Sequence, residues 1–305
     1  PTDDPWLPRQ DMMRRTPPID FRSRRVWLSL VFLVAAYFLF DPIEALIHRP
    51  LARALDLHMI ANGAMGLAPY AVLMLVRLLL DMAIVVGVIV ILKERIGGFP
   101  LIGEAIARNT ARGVGIGLVV MIAAISVIWL SGNAIVSSRA QTTASMISHG
   151  VGWFLADFLG ATGEELFGRV AILLVAERLV GWRGAILVSG LMFSVLHLEN
   201  PGASWIWLAR LFLQGSLLAY AVYKTGSVWW SVGYHTGWNW ASAPLFGAAG
   251  SGYLDQGHLF DFTPTGPVSI TGGTVGPEGS IFAFVAVLCA FILLLASTRQ
   301  GTENQ

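Results

Sequence analysis

Long apolar runs broken by short polar segments dominate the chain. A helix needs about 20 apolar residues to cross roughly 30 Å of hydrocarbon. Windows of that kind fall near 27–47, 68–92, 113–136, 150–176, 184–199, 205–223, 228–247 and 280–298. The pattern predicts an all-α, polytopic membrane protein with about eight transmembrane helices. The fifth window is short and ends at the Asn200-Pro201-Gly202 break, a turn signal. The longest stretch without an apolar window, about 248–279, is rich in Gly, Thr and Pro. It reads as a loop entering the last helix, with Pro277 and Glu278 suited to a helix start; a lid over a site is the alternative.

Composition agrees with this reading. Of 305 residues, 55% are hydrophobic and 13% charged, with mean hydropathy +0.66, against roughly 25% charged in soluble domains. The net charge of +1 comes with no clustered basic arm, so no nucleic-acid partner is expected. The single Cys289 can form no internal disulfide and supplies no cysteine metal cluster. Charge placement is more informative, because Lys and Arg concentrate on the cytoplasmic side of short loops. With the N-terminus inside, that side collects Arg9, Arg14, Arg15, Arg22, Arg24, Arg25, Lys93, Arg95, Arg108, Arg112, Arg178, Arg183, Lys224 and Arg299. The opposite loops hold Arg49, Arg53 and Arg139, and Arg77, Arg169 and Arg210 lie within spans. Both termini are therefore expected in the cytoplasm: residues 1–25 as a tail before a retained anchor, 26–299 as a single transmembrane helical domain, and 300–305 as a second tail.

Three patterns break the apolar windows: Glu164-Glu165-x-x-x-Arg169, Phe193-x-x-x-His197 and His235-x-x-x-Asn239. Ionisable groups in hydrocarbon are expensive and by default mark a functional site. Glu165 and Arg169 share a helical face with the acid N-terminal, the better order for an ion pair. Glu164 is turned about 100° away and lacks that partner, which suits a general base. Phe193 lies one turn from His197 and can pack over its ring. A lone histidine on an apolar face is more often a core residue bonded to a carbonyl, so His197 gains weight only from its companions. His235 and Asn239 repeat the four-residue spacing, and Asn239 offers both a donor and an acceptor, enough to hold a water or stabilise an oxyanion. At 1.5 Å per residue, Glu164, His197 and His235 lie about 18, 20 and 10 Å from their cytoplasmic helix ends. They are expected to meet in the inner half or middle of the bilayer, around a water-filled cavity.

The ordered motifs EExxxR, FxxxH and HxxxN resemble those of the CPBP intramembrane proteases, which include type II CAAX prenyl endopeptidases and bacterial homologues associated with bacteriocin processing or self-immunity. The motif region covers about 150–247. The resemblance implies that Glu164 activates the hydrolytic water, that Glu165 and Arg169 support it, that His197 is the site histidine of the second motif, and that His235 and Asn239 stabilise the oxyanion or hold the water. It also implies a peptide or lipidated-protein substrate met in the lipid bilayer. Family members have been described both as metalloproteases and as metal-independent glutamate proteases. Glu164, His197 and His235 would make a zinc site of the His₂Glu kind. No HExxH is present, and the sequence reading commits to no metal.

Lesser features have plainer readings. Arg77 and Asp81 are expected to neutralise each other, and Arg210 with Gln214 to bond between helices. Trp229, Trp230, Trp238 and Trp240 suggest an interfacial belt, with Trp238 and Trp240 near enough to the motif to line a groove. His48, His58, His149 and His258 fall in or near loops. The sequence thus favours a membrane endopeptidase in a bacterial cytoplasmic membrane. The alternatives are a non-catalytic scaffold or bacteriocin-immunity factor that binds a peptide and a proton-coupled transporter, the latter disfavoured by the lack of repeat halves.

Overall fold

The structure, a computed structural model, describes residues 17–58, 60–61, 64–94, 101 and 105–299. The N-terminal tail through residue 16, Arg95 and residues 300–305 lie outside the described residues. The elements run α1 (Arg24–Ala54), β1 (Ile60–Ala61), β2 (Ala64–Met65), α2 (Leu67–Leu92), α3 (Ile106–Leu130), β3 (Ala134–Ser138) and α4 (Thr143–Leu166). They continue through α5 (Ile172–Val195), α6 (Trp205–Thr225), α7 (Trp229–Trp240), β4 (Phe260–Pro264), α8 (Val268–Thr271) and α9 (Ile281–Arg299).

Among the described residues, α1, α2, α3, α6 and α9 are long and apolar enough to cross a membrane. The remaining expected windows fall on elements that are polar, bent or short. The window at 150–176 covers most of α4, a π-helical turn over Phe167–Ala171 and the start of α5. The window at 184–199 covers the second limb of α5, which bends at Gly181 (φ 70°, ψ 171°), a conformation glycine adopts without steric cost. The window at 228–247 covers the 12-residue α7 and a second π-helical turn, Ala241–Leu245, containing Pro244.

One boundary is corrected outright. The window at 113–136 is helical only to Leu130, and Gly132 at φ 77° turns the chain into β3. β3 pairs antiparallel with β4, Ala134 opposite Pro264 and Ser138 opposite Phe260. The expected loop at 248–279 therefore contains a strand, a short helix and two 3₁₀ turns.

Two end faces can be recognised from contacts between loops. At one, the Asp20 N–H donates to the Arg178 carbonyl (2.8 Å), Arg178 pairs with Glu94, and the Trp229 indole donates to the Leu101 carbonyl (2.8 Å). At the other, Met65 donates to Leu254 (2.7 Å), Thr265 to the Asn133 carbonyl (2.9 Å), and Asn200 Nδ2 to the Ser251 carbonyl (3.0 Å).

The core is apolar and divided. One cluster joins α2, α5 and the first π turn through Val88, Val170 and Leu174, and a second joins α3, α6, α7 and α9 through Met121, Leu218 and Ala290. The closest helix packing is a glycine seam. Gly113 and Gly117 of α3 face Gly233 and Gly237 of α7. A Cβ at Gly113 would lie 2.1 Å from the Trp230 carbonyl oxygen, and one at Gly233 would lie 2.2 Å from that of Thr110. Only glycine allows backbones this near, the small-xxx-small principle of membrane helices.

Two expectations about polar and aromatic side chains also change. Arg77 pairs with Asp41 of α1 (3.1 Å) and stacks over Phe40, leaving Asp81 buried without it as an ion-pair partner. The spacing of Arg77 and Asp81 permits contact, but α1 offers the arginine a carboxylate on its more open side. Trp230 and Trp238 are buried in the second core cluster and form no interfacial belt.

Candidate functional site

α4 ends with the paired glutamates, and the chain then widens into the π turn that carries Arg169. Such turns are frequent at functional sites. Glu165 Oε2 lies 3.0 Å from Arg169 Nε, and both side chains are buried. The expected asymmetry between the two acids is present in the geometry: Glu164 is 44% exposed and Glu165 is fully enclosed. Glu164 Oε2 faces His197 Nε2 at 4.0 Å.

His197 occupies the turn that follows α5, not the helix itself. Its Nδ1 donates to the Phe193 carbonyl (2.7 Å), which leaves Nε2, the edge nearest Glu164, as an acceptor in the neutral ring. His235 is pinned in the same sense. Its Nδ1 meets Glu165 Oε1 at 3.0 Å, so a single carboxylate is shared between an arginine on its own helix and a histidine 70 residues away. A carboxylate behind an imidazole fixes the ring's orientation and tautomer.

Phe193 holds these groups together. Its ring centroid lies 4.8 Å from His197, 5.7 Å edge-on from His235, and 4.5 Å beneath the Arg169 guanidinium. The ring thus does more than cover His197. It also offers a face to a buried cation, a favourable arrangement in a desolvated setting.

A cavity of about 10 Å³ adjoins the histidines, lined among others by Phe193, His197, His235 and Asn239. Its volume matches roughly one water molecule. Glu164 is not part of its wall and reaches the group through His197.

The far wall was not foreseen. Arg210 of α6 donates from Nε to the Glu278 carbonyl (3.1 Å) and from Nη2 to Glu278 Oε2 (3.0 Å), and also bonds Gln214. Ser251 donates to the same Glu278 oxygen (3.2 Å), while Glu278 Oε1 is buried without a hydrogen-bond partner. Arg210, Gln214, Ser251 and Glu278 all line the cavity with Trp238, over which Arg210 stacks at 5.3 Å. The sequence reading assigned Glu278 to a helix start. The available clue was a second Arg–acid combination within apolar surroundings, but its partners are 68 residues apart. Because Ser251 and Glu278 belong to the segment between α7 and α9, the cavity lies toward that segment's end face.

The zinc alternative can be tested on the donor set. Both histidines present Nε2, but Glu164 is 4.0 Å from His197 and outside the cavity wall. Among the described residues, no three His, Cys, Asp or Glu side chains converge as a metal site. The three candidate ligands do not fit a metal in this arrangement.

Residues 147–241 match the Rce1-like family model, described as type II CAAX prenyl endopeptidase Rce1-like. The matched segment contains all three motifs, and it supports assignment to the CPBP/CAAX protease family and a CAAX-type intramembrane protease activity. No curated protein and no solved structure matches the chain.

Proposed function

We propose that this Rce1-like chain is an intramembrane endopeptidase that cuts a peptide bond of a membrane-associated, lipidated or CAAX-like substrate with water activated by Glu164. The observation that carries the reading is Glu164 at 4.0 Å from the His197 edge left free by the Phe193 carbonyl, while the neighbouring Glu165 is occupied by Arg169 and His235. Only one of the two acids is available to take a proton.

In the proposed reaction Glu164 accepts a proton from water, and the water oxygen attacks the scissile carbonyl carbon. Asn239 donates its amide N–H to the developing oxyanion, as does Nε2–H of His235 when that ring carries its second proton. The C–N bond then breaks and Glu164 returns the proton to the leaving nitrogen, giving a carboxylic acid and an amine. His197 holds the water against Glu164. Eight membrane crossings with both termini cytoplasmic, in a bacterial cytoplasmic membrane, complete the proposal; α4 continued through the π turn into the first limb of α5, the second limb of α5 after Gly181, and the short α7 supply the crossings beyond the five long helices.

The test is peptide hydrolysis by the purified protein in detergent. Glu164→Gln, His197→Ala and His235→Ala should each lower the rate by about 10²–10⁴-fold while the thermal melt is retained, and a chelator should leave wild-type hydrolysis intact. Wild-type rates in Glu164→Gln would remove the mechanism. A peptide-dependent phenotype that survived all three substitutions would favour the non-catalytic scaffold or immunity reading.

A further inference from the structure

We propose that Glu278 is a substrate-binding residue, whose free carboxylate oxygen accepts the main-chain N–H of the same substrate residue whose carbonyl is cleaved. The position of that carbonyl rests on the protease reading. The acceptor stands on the geometry of the cavity wall.

Glu278 is buried, and its two oxygens are in different situations. Oε2 receives Arg210 Nη2 (3.0 Å) and the Ser251 hydroxyl (3.2 Å), whereas Oε1 has no hydrogen-bond partner. A buried carboxylate oxygen without a donor is costly. Glu165 shows the completed pattern in the same site, one oxygen on Arg169 and the other on His235. No described group donates to Glu278 Oε1 in that way, and Glu278 stands in the wall of a cavity with room for about one water.

The wall selects a donor and not an anion. Arg210 is turned away from any substrate carboxylate, with Nε on the Glu278 carbonyl (3.1 Å), Nη1 on Gln214 and Nη2 on Glu278 Oε2. What this group presents to the cavity is the acceptor Oε1.

The identity of the donor follows from what shares the cavity. Asn239 lines the same water-sized space and, in the proposed reaction, donates to the oxygen of the cleaved carbonyl. In an extended chain the N–H and C=O of one residue point to the same edge, which is how paired residues on antiparallel strands exchange both bonds. A polypeptide lying extended against this wall therefore brings one residue's C=O to Asn239 and the same residue's N–H to Glu278. Main-chain recognition of this kind tolerates most side chains. Proline carries no N–H, so a substrate with proline at that residue should be rejected.

An ester scan of binding to the full chain tests the proposal. The probe is a fluorescein-labelled, farnesylated CAAX peptide in detergent, each main-chain amide replaced in turn by an ester, which exchanges N–H for oxygen. Every protein in the scan carries Glu164→Gln, so bound peptide is not turned over. One ester should weaken binding by at least about tenfold, the cost of denying a buried carboxylate its donor. It should be the ester that removes the N–H of the residue after which the chain with Glu164 intact cuts the parent peptide.

Glu278→Gln then inverts the wall. Arg210 and Ser251 both donate to the place of Oε2, so the new amide keeps its oxygen there and turns its NH₂ to the place of Oε1. The parent peptide should bind more weakly, and the penalty for the same ester should fall below about threefold. Each penalty is a ratio within one protein, so a change in stability cancels, and the position of the penalty is read without the Glu278 variant. A flat scan, a largest penalty at another residue, an undiminished penalty in Glu278→Gln, or no binding of the parent peptide would each overturn the proposal. Failure of the protease reading gives a different result: the chain with Glu164 intact would leave the peptide uncut, while the ester penalty and its relief in Glu278→Gln would persist.

Discussion

Two buried arginine–glutamate pairs serve one small cavity, the first from behind its Phe193 and His235 walls and the second in the wall itself, and they differ in what the glutamate does next. In the α4 pair, Glu165 holds Arg169 with one oxygen and His235 with the other. In the α6 pair, Glu278 gives one oxygen to Arg210 and Ser251 and leaves the other unbonded. Each arginine also lies over an aromatic ring, Phe193 or Trp238. The common architecture solves a common problem, since a buried charge without a partner is far more costly than a paired one. The difference assigns separate tasks: the first pair aims a histidine, and the second fastens the segment before α9 over the cavity.

The largest expected effects come from removing the cations. Arg169→Ala and Arg210→Ala should each destabilise the protein by about 3–5 kcal/mol, because either leaves an uncompensated carboxylate. Thermal melts in detergent measure this. Turnover per folded molecule should separate the two. Arg169→Ala should lose about tenfold or more as Glu165 ceases to be held against His235, and Arg210→Ala should lose less. Equal losses per folded molecule would erase the distinction between the pairs.

Next come the acids themselves. Glu165→Gln should lower kcat by about 10–100-fold, the usual cost of losing a carboxylate behind an imidazole, with KM little changed. Glu278→Gln should alter kcat less and should chiefly quicken proteolytic nicking of the segment between α7 and α9. A larger kcat loss in Glu278→Gln would make the second pair the chemical one.

A pH-dependent effect sharpens the comparison by supplying a carboxyl with no cation at all. Asp255 is buried in the same segment, and among the described residues it forms no ion pair. Burial pushes it up to about 8, well above the usual range for an aspartate, and the buried carboxyl of Asp157 on α4 titrates together with it. Between about pH 4 and pH 8 the folded state keeps this proton while the unfolded chain releases it. Stability should therefore fall as pH rises through that window and level off above it, by at most about 1.4 kcal/mol per pH unit. Asp255→Asn should flatten this part of the stability–pH curve, and an unchanged slope would show that Asp255 does not titrate there.

The same contrast explains what could be read from the sequence. Glu165–Arg169 and Phe193–His197 are one helical turn apart, so spacing alone brings them together. Glu165–His235 and Arg210–Glu278 join residues about 70 positions apart, and no local period records such a contact. Hydropathy marked the apolar windows, but it could not see the cap at Gly132, the strands β3 and β4, or the bend at Gly181. The glycine seam was visible as Gly113-x-x-x-Gly117 and Gly233-x-x-x-Gly237, yet neither pattern says which helix is its partner.

That seam sets the mechanics of the site. His235 lies between two glycines of α7 whose backbone already touches α3, leaving no slack through which the helix can slide. α7 is the fixed jaw. The second limb of α5, which leads to His197, is held against α6 by the same kind of contact at Gly190 and Gly215, so any widening that admits a polypeptide is left to the strap carrying Ser251 and Glu278 over the gap.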